Sequence, residues 1–223
     1  MFVQMNFTTV LPTDLITPLG AYLRLREGAP AAFLLESVEH GRLGRHSWMG
    51  TGSRIVDLAE AERCDQPVVG FVGYDHAAVL EPTVPLPAVG PDLPESRFVV
   101  ADTLVRFDHA RGIAEAVCGN PEELAAVLEA PLPSPDRQPG PGGPTTRFPE
   151  QAEYEEGVRV AKEFIRAGDA FQIVLSQRAE RPTPASAVAL YRTLRRVNPS
   201  PYLFLLELDG LALIGSSPET LVK

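Results

Sequence analysis

Cysteine is scarce in this chain: Cys64 and Cys118 are the only two in 223 residues. Neither stands in a CxxC pair or beside a histidine at metal-ligand spacing, which excludes a disulfide framework and argues against a zinc site; both read as reduced thiols. Long apolar runs are missing as well. No uncharged stretch approaches the ~18 residues that span a bilayer, so no membrane association is expected. The opening MFVQMNFTTVLPTD has neither the basic start nor the apolar centre of a secretory signal, and a cytoplasmic location is expected. Positive charge is outnumbered, 20 Lys and Arg against 29 Asp and Glu, for a net −9. That balance disfavours nucleic acid and anionic membrane as partners. There is no internal repeat, and no Asp/Glu cluster has the look of a metal site.

What is present is a globular composition, 44% apolar, with two kinds of patterning. Pro and Gly crowd into APLPSPDRQPGPGGPTT (130–146), which can hold neither a helix nor an interior strand and reads as a linker. A second Pro-rich passage, EPTVPLPAVGPDLPES (81–96), reads as a long loop. Before the linker the chain is strand-rich. AAFLLES (31–37) is a short apolar run, and PVVGFVGYD (67–75) suits a buried strand. SRFVVADTLVRFDHARGIAEAVCG (96–119) reads as two strands around the turn DHARG. Asn120-Pro121 opens a short helix, while 53–63 fits strand or helix equally.

After the linker, Tyr154, Val158, Ala161, Phe164 and Ile165 line one face of a helix that Gly168 is placed to cap. FQIVLSQRAE (171–180) alternates as a strand, with Phe171, Ile173 and Leu175 opposite Gln172, Val174 and Ser176. Thr183-Pro184 starts a helix running to about Val197. YLFLLEL and LALIGSS flank Asp209-Gly210, a strong two-residue hairpin signal. The fold class expected is α+β, mainly antiparallel sheets with flanking helices. Its parts are an N-terminal domain (1–130), a Pro/Gly-rich linker (131–147) and the beginning of a second domain (148–223).

Three blocks then stand out in order: GDAFQIVLSQ (168–177), NPSPYLF (198–204) and GSSPETLVK (215–223). They resemble the start of the chorismate-binding domain of anthranilate synthase component I, and LLES (34–37) with RHSW (45–48) is similar to that family's LLES and R-Y-S-F segments. The resemblance implies a lyase of tryptophan biosynthesis. It would convert chorismate, with ammonia from a glutamine amidotransferase subunit, into anthranilate and pyruvate under feedback inhibition by tryptophan. It implies Mg²⁺, with metal ligands and catalytic residues expected beyond Lys223, so that 1–223 alone would be inactive.

Within the chain the resemblance points to Ser37, Pro201, Tyr202 and Leu203 as the tryptophan pocket. Gln172 is implied to line the active site: water-adding relatives carry a lysine there that can act as a base, whereas an amide cannot and suits ammonia as nucleophile. Ser216, Ser217 and Glu219 stand near the chorismate site in that family and have an equally good structural reading. The alternatives are an aminodeoxychorismate synthase large subunit, disfavoured by Phe171 and Tyr202, and a non-catalytic tryptophan-binding or docking module.

Overall fold

The computed structural model describes residues 10–39, 42–86, 90, 92–134 and 140–219. They fall into two compact units. One runs up to residue 134 and resumes at Ala187; the other comprises the described residues 140–186. The first unit therefore takes in sequence from both sides of the Pro/Gly-rich stretch.

Its strands are β1 (Val10–Pro12), β2 (Ala31–Glu39), β3 (Arg42–Gly52), β4 (Arg54–Val56), β5 (Val68–Val72), β6 (Ser96–Val100), β7 (Thr103–Asp108) and β8 (Ile113–Cys118). Its helices before residue 134 are α1 (Pro18–Leu25), α2 (Leu58–Ala61), α3 (Ala77–Leu80) and α4 (Pro121–Glu129), with a 3₁₀ turn over Tyr74–His76. Start signals are local. Thr17 Oγ1 accepts from Gly20 N at 3.0 Å ahead of Pro18. Asn120 Oδ1 accepts from Glu122 N at 3.0 Å ahead of Pro121.

In the second unit lie β9 (Thr146–Phe148), α5 (Gln151–Ala167) and β10 (Arg178–Glu180), and the first unit resumes with α6 (Ala187–Val197), β11 (Tyr202–Leu208) and β12 (Leu211–Ser217). The ambiguous 53–63 resolves into β4 followed by α2, with Asp57 capping the helix through Glu60 N at 2.8 Å.

A seven-stranded antiparallel sheet has the order β1-β8-β7-β3-β2-β11-β12. Alternation along its strands sorts side chains onto two faces. Ala32, Leu34, Met49, Val105, Phe107, Leu203 and Leu205 meet α1, α4 and α6 through Tyr22, Leu124, Leu128, Val188 and Tyr191. Ala31, Phe33, Leu104, Leu206 and Leu208 face the other way, toward the three-stranded sheet β4-β6-β5. Each fully buried large side chain is worth about 1.5–3 kcal/mol, so both faces contribute.

The expected architecture, antiparallel sheets with flanking helices, is what forms. Three local expectations need correction. The run 96–119 makes three strands, not two, because the chain breaks at Ala101-Asp102, where the Asp102 carboxylate takes Ser53 N at 2.7 Å and Ser53 Oγ at 2.8 Å. The helix after residue 183 begins at Ala187, because Thr183 Oγ1 accepts from Ala185 N at 3.1 Å and closes a turn first. The strand expected over 171–180 is present only as Arg178–Glu180, paired with β9. Residues 171–177 have no neighbouring strand in their unit, and without a ladder an alternating pattern has nothing to alternate against. The Asp209-Gly210 hairpin forms as expected, and its β11 strand pairs with β2 along six positions.

Candidate functional site

The site is built where β2, β3 and β11 lie side by side. Leu203 stands opposite Glu36, and Glu36 opposite Ser47. Just past Glu36 the β2–β3 register slips by two: Ser37 alone stands against Gly44, Arg45 and His46 of β3, which bulge before pairing resumes between Val38 and Leu43. Gly44 is required beside it, since a Cβ there would lie 2.3 Å from Ser37 Oγ. Val38 N donates to Ser200 O at 2.9 Å, fastening β2 just past Ser37 to the Asn198-Pro199-Ser200-Pro201 turn that leads out of α6.

A cleft of about 330 Å³ opens here, within the size range of small-molecule sites. Leu35, Trp48 and Phe204 supply partly buried apolar and aromatic surface. Ser37 and His46 add a hydroxyl and an imidazole, and Pro201, Tyr202 and Leu203 form the β11 side, with Tyr202 about half exposed. Arg106 lies 5.7 Å from the Trp48 ring centroid and pairs with the buried Glu115. The cleft thus joins an aromatic floor to a polar edge.

Two polar assemblies support it. The Glu36 side chain is wholly buried, and Tyr191 Oη donates to its Oε2. Arg195 brings Nε to 3.2 Å from Oε2 and Nη2 to 3.4 Å from Oε1. Burial pushes the Glu36 carboxyl above the usual carboxylate range, and Tyr191 and Arg195 offset this only in part. Burial, reinforced by the neighbouring carboxylate, raises the Tyr191 phenol in turn. Behind His46, burial drives the Asp108 carboxyl upward, but backbone donors and nearby cations outweigh it. Arg111 N and Ala110 N reach Oδ1 at 3.2 and 3.1 Å, Arg45 lies 3.5 Å and His46 Nε2 3.6 Å from Oδ2, and the net direction is down. His109 Nε2 stands 2.8 Å from the buried Ser47 Oγ, and burial lowers its pKa despite the nearby Asp108.

Ser37, Pro201, Tyr202 and Leu203, picked from two distant blocks, come together in this one cleft. Leu35, Glu36, His46, Trp48 and Phe204 join them. The signal for two of these was available: Leu35 and Phe204 fall two positions from Ser37 and Tyr202 on the same strands. Gln172 lies in the other unit, exposed, between Phe171 at 104% and Val174 at 82% exposure. The Ser216 hydroxyl donates to Asn198 O at 2.6 Å and that of Ser217 to Glu219 O at 2.9 Å, so both serve the local backbone. Among the described residues no three His, Cys, Asp or Glu side chains converge as a metal-ligand set, so Mg²⁺ has no fitting site among them and no step is routed through it. Among the same residues no helix is long and apolar enough to cross a membrane.

Comparison with known proteins adds the wider context. Residues 46–223 match the family model described as chorismate binding enzyme. Anthranilate synthase component 1 of Thermus thermophilus is 37% identical over 94% of this chain and 55% of its own length. The Streptomyces coelicolor protein of the same name is also 37% identical, over 94% of this chain and 50% of its own. The chain spans about half the length of the curated relatives it matches. The crystal structure of anthranilate synthase component I from Streptococcus pneumoniae TIGR4 superposes with a TM-score of 0.58 at 26% identity, covering 96% of this chain and 58% of that one. The menaquinone-specific isochorismate synthase of Escherichia coli shares the fold, with a TM-score of 0.60 at 18% identity over 95% of this chain and 50% of its own. With four-fifths of its residues matched by that family model and the same fold found in solved members, the chain belongs to the chorismate-binding enzyme family.

Proposed function

We propose that this chain is a portion of anthranilate synthase component I, a lyase of tryptophan biosynthesis in the cytoplasm, and that the cleft between β2, β3 and β11 takes free tryptophan as feedback inhibitor. The whole protein would convert chorismate to anthranilate and pyruvate, using ammonia from a glutamine amidotransferase partner and Mg²⁺ to hold the substrate carboxylates. The segment 148–223 would begin the chorismate-binding domain, with Gln172 lining its active site. The activity is assigned to the whole protein; anthranilate fluorescence from this chain alone, given chorismate, Mg²⁺ and an ammonium salt, would move it to the chain.

One observation carries the inhibitor reading: two sequence blocks far apart in the chain converge on one cleft whose chemistry suits an aromatic amino acid. Leu35, Trp48 and Phe204 offer a floor for an indole, and offset aromatic contacts are worth about 0.5–1.5 kcal/mol beyond the area they bury. Ser37 and His46 offer a hydroxyl and an imidazole to the ligand's ammonium and carboxylate.

Calorimetric titration with L-tryptophan tests the reading directly. Ser37→Phe should abolish binding by filling the cleft, and Ser37→Ala, which adds no bulk against Gly44, should weaken it by roughly 1 kcal/mol, about fivefold. In the whole enzyme Ser37→Phe should remove inhibition and spare uninhibited turnover. Unchanged binding by both variants would overturn the site.

A further inference from the structure

The cleft's two walls are fastened to the same helix. On one side Tyr191 and Arg195 of α6 hold the Glu36 carboxylate, one residue before Ser37, which faces the β3 bulge. On the other, α6 runs directly into the Asn198–Pro201 turn: Asn198 N bonds to Leu194 O at 2.8 Å, Ser216 Oγ to Asn198 O at 2.6 Å, and Val38 N to Ser200 O at 2.9 Å. The Glu36 side chain has no exposure to water, so among the described residues its oxygens rely on Tyr191 and Arg195 for stabilisation of their charge.

We propose that Tyr191 and Arg195 are positioning residues for the cleft: by holding ionised Glu36 they fix β2 at Ser37, and ligand affinity follows the charge state of Glu36. The proposal rests on the cleft being a ligand site, as above. Removing the Tyr191 hydroxyl takes away a donor to the charged form. Glu36 then holds its proton to a higher pH, loses its grip on Arg195 while protonated, and frees β2 at Ser37. The other ionisable groups nearby are Tyr22 of α1, which senses Tyr191, His46 and Arg45 of β3, and Asp108 with His109 at the end of β7. Because other ionisable groups stand this close, a Glu36→Gln control is essential: a transition that survives it does not belong to Glu36.

Trp48, the only tryptophan of the chain, lines the cleft and serves as a ligand-free reporter. Its emission in Tyr191→Phe should titrate at a more alkaline midpoint than in the parent protein, and this component should vanish in Glu36→Gln/Tyr191→Phe. Calorimetry should show L-tryptophan binding to Tyr191→Phe weakened on the order of tenfold on the acid side, recovering as pH rises through the shifted midpoint. A purely structural defect would weaken binding equally at every pH. A loss independent of pH, or an unmoved Trp48 midpoint, overturns the proposal. A midpoint that moves in a protein that does not bind tryptophan upholds the positioning role and overturns the inhibitor reading alone.

Discussion

Two strand glutamates in this fold are satisfied in the same way. Tyr22 donates to Glu207 Oε2, with Arg26 Nε 3.2 Å away, and Tyr191 donates to Glu36 Oε2, with Arg195 Nε at 3.2 Å. In both, a tyrosine and an arginine four residues later reach down onto a carboxylate of the sheet. Helical spacing makes this pairing available, since such positions share a face. Asp108 shows the opposite balance, with its carboxyl held low by backbone donors and cations. Its native pKa lies below the unfolded value of about 3.9, so the stability it contributes is present above that pH and lost as pH falls through the native value. Asp108→Asn should therefore melt a few degrees below the parent protein at neutral pH, and the difference should close as the solution is acidified below about pH 4. Thermal melts at a series of pH values check this; a gap that persists in acid would assign the effect to the Asp108 turn geometry instead of its charge.

Glycine shows how an element's tolerance depends on its setting. Gly168 closes α5 at φ 85° with nothing within 4 Å of an added Cβ, so Gly168→Ala should cost about 1 kcal/mol in backbone strain alone. At Gly50 of β3 a Cβ would lie 2.1 Å from Thr103 O and 2.6 Å from the Phe33 ring. A strand carbonyl cannot rotate away, and Gly50→Ala should cost about 3 kcal/mol, the upper end for overpacking. Denaturant melts of the two variants should rank them in that order. The elements that sequence reading placed well are those whose signals are local: the Asp209-Gly210 turn, with φ 48° and 80°, the Asn120-Pro121 cap and the Gly168 stop. Residues 171–177 carried an equally clear alternation and form no strand, because pairing is a property of two segments and a pattern reports only one. The site divides along the same line. Ser37 and 201–203 were found through resemblance to a family, since nothing local says that β2 accepts β11. His46 and Trp48 stood in a matched segment without being assigned to the cleft, because the β2–β3 register that puts them there is equally non-local.

Across the whole molecule the two compact units differ in how they are stabilised. The first has buried clusters on both sides of its large sheet. Among the described residues 140–186 none is buried, and α5 leaves Phe164 and Ile165 at 51% and 41% exposure along the apolar face that made the helix readable in sequence. Elements without a core open locally at little cost. Hydrogen exchange should accordingly find the α5 amides at least about 100-fold less protected than those of β2 and β3; equal protection would show that α5 gains a core when the protein is in solution.

The position of β11 next to β2 has a further consequence, for a chain being made rather than a chain already folded. Tyr22 must wait for Glu207, 185 residues later, and Glu36 for Tyr191, 155 residues later. At about 5–20 residues per second of synthesis, AAFLLES spends roughly 10–30 s outside the ribosome with its future neighbour unmade. During that interval its backbone donors and acceptors on one side, and the apolar side chains of 31–35, are open to any other strand that drifts by. The nascent protein carries that open edge through the interval, and the Glu36 carboxylate, hydrated until Tyr191 and Arg195 arrive to hold its charge, is what keeps the apolar run in water meanwhile.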